Sequence, residues 1–174
     1  MNDPAPVADR ERFSRLYAEI APKLTTYLVG SGSSYAIACD IVQETFLRVW
    51  KRRDELMDDR DQVSGYIFTI ARNYRKDLFR KSRHELLQPE ITDEDGGTTD
   101  ARPAEDADEN AALRARLNAA LAKLPPLLRE AFTLFQIGEL SIREIARQTN
   151  TTEGNVKVRI HRAKAKLREE LGVM

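Results

Sequence analysis

Between Gln88 and about Asp108 the sequence offers little from which a core can be built. The stretch holds Pro89, Pro103, the Gly96-Gly97 pair and few large apolar residues. From Gln88 to Ala112 there are 9 acidic residues and 1 basic one, net −8. Such a segment buries too little apolar surface to offset the entropy of ordering it, so it reads as a flexible acidic linker. The chain of 174 residues is thereby divided into two small folded units, one on each side.

Charge is divided in the same way. Lys+Arg and Asp+Glu both total 28, which hides three blocks in series. Met1 to Leu87 carries 15 basic and 13 acidic residues, net +2, while Leu113 to Met174 carries 12 and 6, net +6. The basic C-terminal block points to nucleic acid as its partner. No run of 18 apolar residues exists, so no membrane span is expected. Met1-Asn2-Asp3-Pro4 does not resemble a signal peptide, and Cys39 is the only cysteine. These features lead to the expectation of a cytoplasmic protein. His84 and His161 are far apart and no Cys/His cluster has metal-ligand spacing. No glycine-rich phosphate loop occurs. The expectation is no metal and no cofactor.

Both flanks read as helical. Phe13, Leu16, Tyr17, Ile20, Leu24, Tyr27 and Leu28 recur at helical spacing. Pro22 is expected to kink or split that helix, and Gly30-Ser31-Gly32-Ser33 to end it. Ser33 or Ser34 is placed to cap a second helix reaching about Arg53. Asp58-Asp59-Arg60-Asp61 reads as a loop. A third helix is expected from about Val63 to Arg83, with Val63, Ile67, Ile70, Tyr74 and Leu78 as its core stripe. Beyond the linker, Leu113, Leu117, Leu121 and Leu124 mark a helix stopped by Pro125-Pro126. Leu128, Ala131, Phe132 and Phe135 mark the next, ended by Gly138. No strand pattern stands out. The fold class is all-α, two small helical domains, each able to share one core among its helices.

The C-terminal domain reads as a helix-turn-helix. Ser141 and Glu144 form a capping box for a short helix with Ile142, Ile145 and Ala146 inward. Asn150 stands in the turn, where it tolerates left-handed backbone better than most residues. A longer basic helix follows from about Thr152 to Leu171. Projected at about 100° per residue, Val156, Ile160, Ala163, Leu167 and Leu171 face inward. Gly154, Val158, His161, Arg162 and Ala165 lie opposite, with Asn155 and Lys157 at the margins. Small residues let such a helix approach DNA closely. Arg162 and Lys157 suit guanine edges or phosphates, Asn155 suits adenine, and Val158 suits a thymine methyl. Arg159, Lys164, Lys166 and Arg168 suit phosphate or solvent. The competing reading is an ordinary solvated basic helix.

On the second helix, Ala38, Ile41, Val42, Thr45, Phe46 and Val49 occupy one side. Asp40, Gln43, Glu44, Leu47 and Lys51 occupy the other. Leu47 is thus an apolar residue in a polar face, either a chance exposure or the centre of a contact with a polar rim. The third helix interleaves Tyr66, Phe68, Tyr74 and Phe79 with Arg72, Arg75, Lys76, Arg80, Lys81 and Arg83. That pattern suits unstacked bases or, equally simply, core aromatics beside a solvated basic end.

Four segments in order resemble bacterial extracytoplasmic-function (ECF) sigma factors of the sigma-70 family. They are Asp40-Ile-Val-Gln-Glu-Thr-Phe-Leu-Arg-Val-Trp50, then Tyr66-Ile-Phe-Thr-Ile-Ala-Arg-Asn-Tyr-Arg-Lys-Asp77, then Leu124-Pro-Pro-Leu-Leu-Arg-Glu-Ala-Phe132, and last Leu140-Ser-Ile-Arg-Glu-Ile-Ala146 with Val156-Lys-Val-Arg-Ile-His-Arg-Ala163. The resemblance covers about residues 10–85 and 110–172. It implies a region-2-like domain over 1–87, the acidic linker over 88–112, and a region-4-like helix-turn-helix domain over 113–174. It implies binding of core RNA polymerase, at the beta-prime clamp helices, through Asp40, Gln43, Glu44 and Leu47. The minus-ten promoter element would meet the loop near Asp54–Val63 and Arg72, Asn73, Lys76 and Arg80. The minus-thirty-five element would meet Asn155, Lys157, Val158, Arg159, His161 and Arg162, with this domain docked on the beta-flap tip. The linker would thread toward the RNA exit path. Promoter DNA, an anti-sigma factor, a monomeric state and no catalysis complete the implied picture. Tyr66, Asn150, Asn155 and Val158 depart from residues common in the family (Trp, Gly, Thr and a small polar residue), and two of these lie on or beside the reading face.

Two other classes stay open on sequence alone. A self-sufficient helix-turn-helix repressor or activator would bind duplex DNA without polymerase, usually as a dimer. A nucleic-acid-processing enzyme would need a convergent acid/base or metal cluster, and none is visible.

Overall fold

The computed structural model describes residues 6–56, 60–85 and 109–172, and all regular structure among them is helical. The linker expected at 88–108 lies outside the described residues. The chain divides into two units: Met1–Leu24 with Cys39–Thr98, and Thr25–Ala38 with Thr99–Met174. The second unit therefore takes in the end of the first helix and the turn after it, which the sequence alone does not suggest.

Helix α1 (Val7–Gly30) runs continuously through Pro22, so the helix is not split there. Proline costs the helix interior one backbone hydrogen bond and a steric clash. Burial of Ile20, Ala21 and Leu24 on either side offsets that cost. Helix α2 (Tyr35–Lys51) begins where the serines predicted, with Ser34 Oγ accepting the Ile37 N–H at 3.3 Å. Its buried side is the predicted one: Ala38, Ile41, Val42, Thr45, Phe46 and Val49. Phe13 and Tyr17 of α1 meet Phe46 edge-on, at 5.9 and 4.7 Å between ring centroids, and Phe13 meets Trp50 at 4.8 Å.

A single turn, α3 (Arg53–Leu56), precedes α4 (Arg60–Glu85). Arg60 and Asp61 are therefore helical rather than part of a loop, and Asp58 and Asp59 lie outside the described residues. On α4, Val63 and Ile67 are buried as expected, but Ile70, Tyr74 and Leu78 are only half-buried. The buried arc instead turns through Phe68, Ala71 and Arg72.

In the second unit α8 (Glu153–Leu171) packs against α5 (Glu109–Lys123), α6 (Pro126–Gln136) and α7 (Ile142–Thr149). Ala120, Leu121, Leu124, Ala163 and Leu167 form a shared core, flanked by Leu128, Phe132 and Leu171. Leu113 and Leu117 were expected in this stripe but are exposed, because the N-terminal half of α5 extends past the core. Pro125 and Pro126 separate α5 from α6, with Pro126 in the first helical position, where its missing N–H costs nothing. Ala131, Thr133 and Leu134 are the buried residues of α6, and the Thr133 hydroxyl donates to the Arg129 carbonyl at 2.8 Å. After α6 the left-handed residue is Glu139, φ 54°, not Gly138. Gly138 instead donates its N–H to the Thr133 carbonyl at 3.1 Å.

The helix-turn-helix follows from local chemistry. Ser141 Oγ accepts the Glu144 N–H at 3.2 Å, and Glu144 Oε2 accepts the Ser141 N–H at 2.8 Å, a complete capping box. Asn150 closes α7 at φ 51°, ψ 54°, fully left-handed. Thr152 then caps α8 by accepting the Asn155 N–H at 3.2 Å. Asn150→Ala should loosen this turn by about 1 kcal/mol, since a Cβ without a local polar group is disfavoured in left-handed backbone. Asn150→Gly should be near neutral. Hydrogen exchange of the α7 amides in the full chain measures both; equal protection in all three proteins would contradict the assignment.

Candidate nucleic-acid and partner interfaces

The outer face of α8 is the clearest surface. Its inner side is fixed by Val156, Ile160, Ala163 and Leu167, all buried, so the opposite side must face solvent. Gly154, Asn155, Lys157, Val158, His161, Arg162 and Ala165 are exposed as projected, Val158 at 46%, while Arg159 is half-buried at the margin. A Cβ added at Gly154 would meet nothing within 4 Å, so the start of the helix is bare. The Asn155 amide nitrogen donates to Thr151 Oγ1 at 3.0 Å, which orients the carboxamide from the turn. Lys164 lies 5.5 Å from the Phe135 ring centroid, so its charge is directed toward α6. Arg143 and Arg147, not singled out from the sequence, are both exposed and one turn apart on α7.

The outer face of α2 carries the exposed Asp40, Gln43 and Leu47, the last at 56%. Glu44 is half-buried and its Oε1 accepts from Arg48 Nε at 2.7 Å. Beside Leu47 an open groove is lined by Phe13, Tyr17, Phe46 and Trp50, with Arg10 and Gln43 at its edge. The exposed leucine therefore borders an apolar surface that pattern reading of α2 alone does not find. Its signal was the Phe13/Tyr17 pair, one turn apart on α1.

On α4 the structure separates the predicted residues. Asn73, Lys76 and Arg80 are exposed, and Arg80 pairs with Asp77 at 3.4 Å. Arg72 is 8% exposed. It lies four residues after Phe68, on the buried arc, so it does not share the outer face with the other three. The loop expected around Asp54–Val63 is helical at both ends, in α3 and from Arg60 onward, and residues 57–59 lie outside the described residues. Cys39 is half-buried. Among the described residues no three His, Cys, Asp or Glu side chains converge on a point that would hold a metal, and no helix is long and apolar enough to cross a membrane.

Comparison with known proteins follows the same division. The model for sigma-70 region 2 matches residues 16–85, and that for sigma-70 region 4 matches residues 114–167. The chain is 34% identical to the ECF RNA polymerase sigma factor RpoE of Cereibacter sphaeroides over 94% of its own length and 88% of the relative's. It is 34% identical to the ECF RNA polymerase sigma factor SigL of Mycobacterium tuberculosis, over 97% and 96%. Among solved structures it resembles the sigma factor RpoE in complex with the anti-sigma factor NepR from Bartonella quintana. There the TM-score is 0.71 at 26% identity, covering 92% of this chain and 97% of that one. It also resembles CnrH in complex with the cytosolic domain of CnrY, with TM-score 0.63 at 26% identity over 94% and 89%.

Proposed function

Because the chain belongs to the ECF sigma factors of the sigma-70 family, the proteins that direct RNA polymerase to promoters, we propose how its own residues divide that work. The domain over 1–87 binds core polymerase at the beta-prime clamp helices with Asp40, Gln43, Glu44 and Leu47, and holds the minus-ten element against Asn73, Lys76 and Arg80. The domain over 113–174 sets α8 in the major groove of the minus-thirty-five element. Lys157, Val158, His161 and Arg162 reach bases, while Asn155 and Arg159 fix the helix at its edge. Arg143 and Arg147 hold the phosphate backbone, and this domain docks on the beta-flap tip. The acidic segment from 88 to the start of α5 at Glu109, four residues earlier than the sequence bound of 112, joins the two domains.

The observation that carries this reading is the pairing of two unlike surfaces. One is a bare, cation-bearing face on the second helix of a helix-turn-helix, which suits duplex DNA. The other is an exposed leucine with an acidic rim, which suits a protein. A repressor needs only the first. The factor performs no covalent step. It lends binding energy that favours melted promoter over closed promoter, and so shifts that equilibrium. Its place of work is the cytoplasm, as a monomer until core binds. Relatives of the same fold solved with NepR and with CnrY support an anti-sigma factor as its inhibitor.

Gel retention of promoter duplex with and without core, followed by run-off transcription on genomic fragments, tests the reading. Retention and specific transcripts are expected only when both proteins are present. Tight, specific retention by the chain alone would favour the self-sufficient regulator instead.

A further inference from the structure

We propose that Val158 selects a thymine in the minus-thirty-five element by packing on its 5-methyl group; this rests on reading α8 as the helix that enters the major groove. Val158 is the only large apolar side chain of α8 that is exposed. Val156 and Ile160, the branched residues on either side of it, are both buried. Nothing in the fold asks for a valine at 158. An isopropyl group left in water gains the domain no burial, and a β-branched residue is a poorer helix former than alanine. Its neighbours on the same face are polar or bare. Gly154 and Asn155 stand on the preceding turn and His161 and Arg162 on the following one, all exposed.

The chemistry of this side chain limits what it can read. Valine has no hydrogen-bond donor or acceptor. Set against guanine, adenine or cytosine, it strips water from ring nitrogens, carbonyl oxygens or amino groups and offers nothing in return, which disfavours those bases. Thymine is the base that carries an apolar group, the 5-methyl, in the major groove. The backbone supplies the approach. Helical side chains lean toward the turn N-terminal to them, and for Val158 that turn carries Gly154. A Cβ added at Gly154 would meet nothing within 4 Å. A base edge therefore reaches the isopropyl group unobstructed, at the end of the helix that meets base edges in this motif.

Holoenzyme assembled from core and the full chain tests this by anisotropy on a promoter duplex found by run-off transcription. Each thymine of the minus-thirty-five element, on either strand, is replaced in turn by uracil. Uracil lacks the methyl and keeps every hydrogen-bonding group, so the first arm needs no change in the protein. Uracil at one position is expected to weaken binding about fourfold, the worth of one buried methyl-sized group. In Val158→Ala, thymine and uracil should bind alike at that position, as a double-mutant cycle requires of a direct contact. The slope of log affinity against log salt should stay the same in Val158→Ala, since no phosphate contact is lost. Tolerance of uracil at every position would overturn the proposal, as would a uracil defect that persists in Val158→Ala. If Lys157→Ala or Arg162→Ala still weakens the same duplex in either case, α8 remains the reading helix and only the role of Val158 falls. Full-strength binding by all three variants would overturn the α8 reading and the methyl contact with it.

Discussion

Leu47→Asp is expected to abolish stable association with core polymerase while leaving the chain folded. Leu47 is 56% exposed on a helix whose buried side does not include it. Its replacement costs the fold only the weaker helix propensity of Asp, about 0.5 kcal/mol. The interface fares differently. Central apolar anchors that dominate a protein contact are worth about 2 kcal/mol or more, roughly 30-fold in affinity. A carboxylate placed there must also be desolvated without a cationic partner. The groove formed by Phe13, Tyr17, Phe46 and Trp50 beside Leu47 enlarges the surface that the charge would spoil. Size-exclusion co-elution with core reads the loss, and an unchanged thermal melt shows the fold intact. Normal co-elution would remove α2 from the core-binding surface.

Arg162→Ala is expected to weaken minus-thirty-five binding and to relax base preference at one position. Arg162 is exposed on the outer face of α8, one turn after Val158, itself 46% exposed. A bidentate contact to guanine is worth about 1–3 kcal/mol of discrimination. A contact to phosphate would instead weaken all sequences alike. Holoenzyme binding to a promoter series substituted through the minus-thirty-five element separates the two. An unchanged preference would place Arg162 on the backbone and leave reading to its neighbours. Because Asn155 already donates to Thr151, its contribution to base choice is expected to be smaller than that of Arg162.

The parts of this molecule legible from sequence were those governed by neighbours along the chain. Ser141 and Glu144 stand three apart and satisfy each other's backbone groups, so the start of α7 could be read before any fold was known. Asn150 could be placed because few residues other than glycine accept that backbone. The inner face of α8 could be read because Val156, Ile160, Ala163 and Leu167 keep one helical phase over three turns. What failed depended on distant packing. Arg72 looks like one more cation in a basic run, yet its spacing from Phe68 puts it on the buried arc. Leu113 and Leu117 continue a perfect leucine spacing, but the core ends before it reaches them. Pro22 carries a strong local signal to split a helix, yet with Ile20, Ala21 and Leu24 buried around it the helix continues. The groove beside Leu47 needs two helices to exist, so no single helical pattern contains it.

Helix α7 spans only Ile142–Thr149, well short of the roughly 12–15 residues at which an isolated helix becomes even marginal in water. It owes its existence to the bonds at its two ends and to Ile145 and Ala146 tucked beneath it. If α8 reads duplex DNA as proposed, recognition is expected to behave as a latch and not as a dial. Partial melting of this small lobe would then leave no blurred reader that settles on wrong sites, because the support that aims the helix would vanish along with it.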